Sequence, residues 1–206
     1  MVATVSKGCG SMLSAIIATF DSERVVVPTL AALVPGAIAG LIAELVIADG
    51  GSRDATAEVA DVAGCRFINS SDTLGVRLKA AAASVRSPWL MFLQAGAVPQ
   101  PGWIDAADHF MRATDQIDGA ARAAVFRPPG ATDYLLPTLT EIIALFRRAR
   151  GSGPRPEQGL LIARRFYEAL GGHPPGADAE TALLRRIGRR RTVMLPVAIA
   201  ISLKNT

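Results

Sequence analysis

Glu44-Leu45-Val46-Ile47-Ala48-Asp49-Gly50-Gly51-Ser52-Arg53-Asp54 decides the fold. Its apolar run reads as a strand buried on both faces, and an acid followed by two glycines ends it. Asp54 is placed to cap a helix running to about Ala63, with Glu58 in its early turns and Gly64 as its stop. Upstream, Leu13 to Thr19 is a similar apolar run ended by a polar cluster. A helical pattern follows from about Arg24 to Leu33 and is expected to stop near Pro35-Gly36. Downstream, Cys65 to Ile68 makes a third short strand, Leu78 to Val85 an Ala-rich helix, and Trp89 to Leu93 a fourth buried strand. Strand and helix alternating at this spacing predict an α/β fold, an open and mostly parallel sheet with helices on both faces.

The second half is less regular. Trp103 to Ala113 and Thr138 to Arg148 have helical patterns, with Val125 to Arg127 as a short strand between them. After a Gly/Pro-rich loop come a strand-like piece from Gly159 to Ala163 and a helix ending at Gly171-Gly172. A helix from Ala179 to Ile187 and a strand from Thr192 to Ile201 close the pattern. The 206 residues suit one domain. The expected division is a first half over 1–103 and a second half over 104–206.

Half the residues are hydrophobic and only 5% are aromatic, so Ala, Val, Leu and Ile must build the core. Cys9 and Cys65 are too few for a disulfide framework or a four-cysteine zinc site, and read as inert thiols of a reducing cytoplasm. His109 and His173, far apart, exclude a His-rich metal centre. The net charge is +4, and the surplus gathers between Arg147 and Arg191, where eleven arginines face four acids. Such a face meets phosphate groups or anionic lipid, or is simply solvated. Only Phe166 and Tyr167 supply aromatics there, so nucleic acid is not the expected partner. The run from Met12 to Phe20 imitates a leader, but Asp21-Ser22-Glu23-Arg24 follows at once. Val25 to Ala43 is 19 residues without a charge, interrupted by Pro28, Pro35, Gly36 and Gly40, and reads as buried structure rather than a span.

In open α/β sheets ligands bind beyond the carboxyl ends of the strands. That rule singles out Thr19-Phe20-Asp21, Asp49-Gly50-Gly51-Ser52 and Gln94-Ala95-Gly96. The Asp49 carboxylate suits a ribose hydroxyl or a base N–H, and equally suits capping the turn that follows it. The first strand lacks a G-x-G-x-x-G and the chain lacks a phosphate-loop Gly-Lys-Ser/Thr.

Ala48-Asp49-Gly50-Gly51-Ser52-Arg53-Asp54-Ala55-Thr56 resembles the D-G-S-x-D-x-T element of family 2 glycosyltransferases, which have the GT-A fold. Four further stretches agree in order. Ser14 to Thr19 followed by Glu23 is similar to the family's V-I-P-T-x-N-E strand. Arg77 with the Ala-rich helix and Ser87 to Leu93 resembles its R…A-x-G-D-W-L-L-F-L passage. Pro101-Gly102-Trp103 matches its P-G-W, and Glu157 to Phe166 with Leu170-Gly171-Gly172 resembles Q-G-x-F-x-R-R-x-x-F…G-G.

The resemblance implies a UDP- or GDP-sugar donor. Thr19, Glu23, Asp49 and Gly50 would hold its base and ribose, and Arg77 would sit near its phosphates. The family's metal carboxylates fall where this chain has Gln94-Ala95-Gly96, leaving Gln94 on the donor side and no metal ligand. Mg²⁺ and Mn²⁺ want carboxylate oxygens, so a metal is doubtful and the diphosphate would need other neutralisation. Arg155, Arg164 and Arg189 to Arg191 are candidate sources. The catalytic base falls at Asp178 or Glu180, two acids that equally favour a helix N-terminus. Lys79 stands where the family has Asn. The expected activity is inverting sugar transfer to a hydroxyl on a lipid carrier or polysaccharide precursor, in the cytoplasm or at the inner membrane face. The alternative is a transferase-like protein that binds nucleotide or a partner without turnover.

Overall fold

The computed structural model describes residues 12–117, 121–128 and 153–202. The expected helix from Thr138 to Arg148, and Cys9, lie outside the described residues. The described residues form eight strands: β1 (Leu13–Thr19), β2 (Ile42–Asp49), β3 (Arg66–Asn69), β4 (Trp89–Gln94), β5 (Ala97–Pro99), β6 (Ala123–Arg127), β7 (Leu160–Ala163) and β8 (Thr192–Ile201). The helices are α1 (Glu23–Ile38), α2 (Thr56–Val62), α3 (Leu74–Ser84), α4 (Trp103–Asp115), α5 (Arg164–Ala169) and α6 (Ala179–Ile187).

The sheet order is β3-β2-β1-β4-β7-β6-β8-β5. The first four strands are parallel, as the alternation predicts. The second half is mixed: β7 runs antiparallel to β4 and β6, β8 parallel to β6, and β5 antiparallel to β8. Chain order moves outward from β1 to β3, then back across to β4. That reversal sends α3 over the face opposite α1 and α2. It also opens a crevice at the carboxyl ends of β1 and β4. The core is aliphatic around a few large rings, with Trp89, Phe92 and Phe126 fully buried.

Three elements differ from expectation. Helix α1 does not stop at Pro35 but runs through both prolines to Ile38. The Trp103 ring lies 2.5 Å from where a Gly36 Cβ would be, and its indole N–H donates to Ala32 O at 3.0 Å. This packing offsets the proline cost. Helix α3 starts at Leu74 rather than Leu78. Gly75 looks like a breaker in sequence, yet it is there because the Pro174 carbonyl occupies its Cβ space. Strand β5 was not expected; it exists by pairing with the far end of β8. No helix among the described residues is long and apolar enough to cross a membrane.

Candidate active site

Thr19 ends β1 and Asp49 ends β2, in register with each other. Asp49 is fully buried. Its Oδ1 accepts the Thr19 hydroxyl at 2.7 Å and the Ser52 hydroxyl; its Oδ2 accepts the N–H groups of Gly51 at 2.8 Å and Ser52 at 2.7 Å. A carboxylate has about four lone-pair sites, and here all are filled. Burial pushes the Asp49 carboxyl up, but the bonds from Ser52, Thr19 and Gly51 outweigh it and hold the group below the usual carboxylate range. Of the two roles open in sequence, the geometry displays turn capping. A base or ribose reaches this carboxylate only where a Thr19 or Ser52 hydroxyl turns aside.

The loops after β1 and β2 are zipped together. Asp21 N–H donates to Ser52 Oγ and Arg53 N–H to Asp21 Oδ1, both at 2.8 Å. Glu23 N–H donates to Asp54 Oδ2 and Ala55 N–H to Glu23 Oε2, both at 3.0 Å. Each acid thus serves the start of the other loop's helix. Asp54, expected as the cap of α2, shares its carboxylate between Glu23 N–H and Thr56 N–H, and Ala55 holds the cap position. Glu23, expected at the nucleotide, is spent on the Ala55 N–H. Asp21 holds a left-handed φ of 44° in this zipper, and Phe20 beside it is 57% exposed. Phe20 belongs to the Thr19-Phe20-Asp21 stretch that the strand-end rule singles out, though no role was expected of its ring.

Gly50 N–H donates to Thr19 O at 3.0 Å, and a Cβ on Gly50 would lie 2.6 Å from an Arg77 guanidinium nitrogen. Only glycine admits that guanidinium. One of its terminal nitrogens donates to Thr19 O and Ala48 O, both at 3.2 Å, while its buried Nε has no partner. Desolvation lowers the Arg77 pKa, against the pull of Asp49. Thr19, Asp49, Gly50 and Arg77 therefore share one floor. Lys79, two residues on, is exposed.

Across the crevice, the Gln94 amide donates to Glu180 Oε2 at 2.7 Å. The loop before α6 is pinned to α3, with Gly75 N–H on Gly176 O at 3.2 Å and Gly176 N–H on Thr73 Oγ1 at 3.1 Å. That docking carries Glu180 to the end of β4. Burial pushes the Glu180 carboxyl up; the Gln94 bond opposes this and the Glu157 charge adds to it. Asp178 is the exposed N-cap residue of α6. The residues at the family's metal position do not fit a divalent ion. Gln94-Ala95-Gly96 brings no carboxylate, and the described residues hold no group of three His, Cys, Asp or Glu that could bind a metal.

Two of the candidate arginines, Arg164 and Arg191, are engaged elsewhere. Arg164 donates to Ser87 O at 2.8 Å and Ala82 O at 2.9 Å, by the start of β4 and so at the opposite end of that strand from Gln94. Arg191 lies over the Phe166 ring and donates to Ile187 O and Arg186 O, beyond the far end of α6.

Comparison with known proteins is consistent with this geometry. The sequence model of the family described as glycosyl transferase family 2 matches residues 14–154. No curated protein sequence matches the chain. Among solved structures, glucosyl-3-phosphoglycerate synthase from Mycobacterium tuberculosis, in complex with Mn²⁺, UDP and glucosyl-3-phosphoglycerate, is 19% identical with a TM-score of 0.65. The match covers 95% of this chain and 73% of that one. A structure titled as a mycobacterial protein is 21% identical with a TM-score of 0.67, covering 95% of this chain and 68% of that one.

Proposed function

We propose a function from one premise: the chain belongs to glycosyl transferase family 2. It transfers a sugar from a UDP- or GDP-sugar to an acceptor hydroxyl, with inversion and without a divalent metal. The observation that carries this reading is the hydrogen bond of Gln94 to Glu180 across the crevice from Asp49 and Arg77. Donor floor and base candidate face one crevice, as single displacement requires.

The roles follow from the geometry. The loop that Asp49 shapes, with Thr19, Gly50 and Ser52, receives the nucleoside, and the exposed Phe20 ring offers the base a stacking surface. Arg77, on the same floor beneath Gly50, is assigned the diphosphate on this reading. Glu180 takes the proton of the acceptor hydroxyl as that oxygen attacks the anomeric carbon and the nucleoside diphosphate leaves from the opposite side. Burial raises the Glu180 carboxyl above its ordinary value, a direction that suits a general base. Asp178, exposed at the cap of α6, is left as a helix-terminus residue. The basic second half suits work at the inner face of the membrane, on a lipid carrier or polysaccharide precursor.

A second reading is favoured by the same contact. Gln94 engages the carboxylate that would have to act, and Gln94-Ala95-Gly96 brings no carboxylate. On that reading the protein binds a nucleotide without turnover. Calorimetric titration with UDP- and GDP-sugars, with and without Mn²⁺, is followed by a turnover assay of Glu180→Gln. The transferase reading expects metal-independent binding, retained in Glu180→Gln, with turnover reduced by about 100-fold or more. Binding with no turnover in the wild type establishes the second reading, and wild-type turnover in Glu180→Gln removes that acid as the base.

A further inference from the structure

The end of the sheet opposite the crevice holds apolar side chains in water. The crevice lies at the carboxyl ends of β1, β2 and β4, so their amino ends share the other rim. Register carries that rim across the sheet: Ile162 is level with Leu90, Ala123 with Ile162, and Thr192 with Ala123. Ile38 ends α1 just before β2 and is 82% exposed; Val62 ends α2 just before β3 and is 90% exposed. Met12 precedes β1, and Val193 and Met194 open β8. Ile117 follows α4, whose last residue, Asp115, accepts the indole N–H of Trp89 at the start of β4. Of ten large apolar side chains exposed among the described residues, these six lie at this one end.

Arginines stand among them. Arg165 lies in the first turn of α5, which starts where β7 ends, level with Trp89. Arg185 and Arg186 fill the last turn of α6, and Arg189–Arg191 form the single turn that leads into β8. Arg186 donates to Leu170 O at 2.7 Å and Arg191 to Ile187 O at 2.8 Å; these bonds fix the guanidinium groups and leave their charge in place. The side chains of Arg165, Arg185 and Arg190 are exposed and have no partner among the described residues. Arg66 and Arg86 continue the rim at the starts of β3 and β4. Of the acids there, Glu44 is tied to Arg66 at 3.1 Å and Glu168 lies 3.8 Å from Arg164, while Asp61 and Asp115 add two more. The rim stays strongly positive.

Exposed apolar side chains beside unpaired cations suit one kind of surface. On an anionic bilayer the guanidinium groups meet headgroup phosphates, and the apolar tips leave water for the acyl boundary. Either signal alone binds weakly, and the two together hold. A second copy of the chain across a two-fold axis would set arginine against arginine. Nucleic acid answers the charge and leaves the apolar tips in water.

We propose that this rim docks the domain on an anionic lipid surface, with the crevice turned away into solvent. Docking is independent of the transferase reading; what it implies for the acceptor rests on that reading. The seven residues of β1 span about 23 Å, so the crevice stands roughly that far above the lipid phosphates. A growing polysaccharide reaches that height, and a hydroxyl at headgroup level does not.

The test is flotation of the full chain with vesicles of phosphatidylcholine, alone or mixed equally with phosphatidylglycerol. Binding is expected to the anionic vesicles far above the neutral ones, and to fall steeply between about 0.05 and 0.5 M salt. Arg165→Gln/Arg185→Gln/Arg190→Gln should weaken it about 100-fold, at about 5-fold per arginine. Ile38→Ser/Met194→Ser should weaken it at least about 10-fold. These side chains are exposed, so both variants should melt within about 3 °C of wild type. In Cys9→Ser/Cys65→Ser protein, a solvent-sensitive dye at Met194→Cys should shift to the blue on anionic vesicles. The same dye at Val76→Cys, on the crevice end of α3, should not shift. No vesicle binding, equal binding to neutral vesicles, undiminished binding of either multiple variant, or a shift at Val76→Cys in place of Met194→Cys overturns the proposal. Sedimentation velocity without lipid adds a further check: self-association that Ile38→Ser/Met194→Ser abolishes would give the rim to a second copy and overturn it too. Calorimetric UDP affinity of the same samples tests the donor reading separately. Docking without UDP binding counts against the transferase and supports the rim.

Discussion

Replacing Asp49 by alanine removes the acceptor of four hydrogen bonds in a fully buried site. The Thr19 and Ser52 hydroxyls can turn to other partners, but the Gly51 and Ser52 N–H groups cannot. Leaving two half-buried backbone donors unmet costs about 1–3 kcal/mol each, so Asp49→Ala should lose about 2–6 kcal/mol. For a chain of this size that lowers Tm by roughly 10 °C. Asp49→Asn behaves differently. Its amide oxygen can face the two N–H groups and its nitrogen the two hydroxyls, which reverse and accept. It keeps four contacts and loses only charge, about 1 kcal/mol or a Tm drop of about 3 °C. The pH dependence carries a sign. The folded carboxyl sits below its unfolded value, so its contribution is complete above about pH 4 and fades as pH falls through the lower folded pKa. Calorimetric melts of wild type, Asp49→Asn and Asp49→Ala from pH 7 down to pH 3 should show the first gap closing in acid and the second persisting. An Asp49→Ala protein that melts within about 2 °C of wild type at pH 7 would refute the four-bond account.

Gln94→Ala removes the bond that lowers the Glu180 pKa, so the acidic limb of a kcat–pH profile should move to higher pH; an unmoved limb detaches Gln94 from the base. Gly75→Ala drives a Cβ to 1.8 Å from the Pro174 carbonyl. It should cost about 3 kcal/mol in a melt and loosen the loop that carries Glu180, and a wild-type Tm counts against that docking. Gly50→Ala should displace the Arg77 guanidinium and lower nucleotide affinity about 10-fold by calorimetry with the fold retained; undiminished affinity removes Arg77 from the donor site.

The parallel half of the sheet was legible because β1, β2 and β4 are apolar runs buried on both faces, and local pattern alone marks such strands. Long-range packing was not legible. The length of α1 is decided by Trp103, 67 residues beyond Gly36, and β5 exists only because β8 returns to it about a hundred residues later. The site divides the same way. Thr19, Asp49 and Gly50 stand out at strand ends and a glycine turn, whereas Arg77, on α3, was marked by the family resemblance alone. The spacing could not say which of Asp178 and Glu180 turns inward; a contact 86 positions away does so for Glu180. The bonds that Glu23 and Asp54 make were not legible because their partners lie in each other's loops, 31 and 32 positions distant. The burial of His173 was not legible either, since nothing in its local sequence shows that Gly172 seats it against Tyr167.

The paired loops after β1 and β2 have a thermodynamic consequence. Each is braced by the other through backbone donors and opposing acids, so neither can rearrange alone. The conformational entropy of ordering that surface is spent when the domain folds rather than when a ligand arrives. A nucleotide would dock there as one rigid body against another, with little ordering entropy to set against its affinity. Loss of the binding surface on heating would then coincide with loss of the native state, with no earlier melting of the loops.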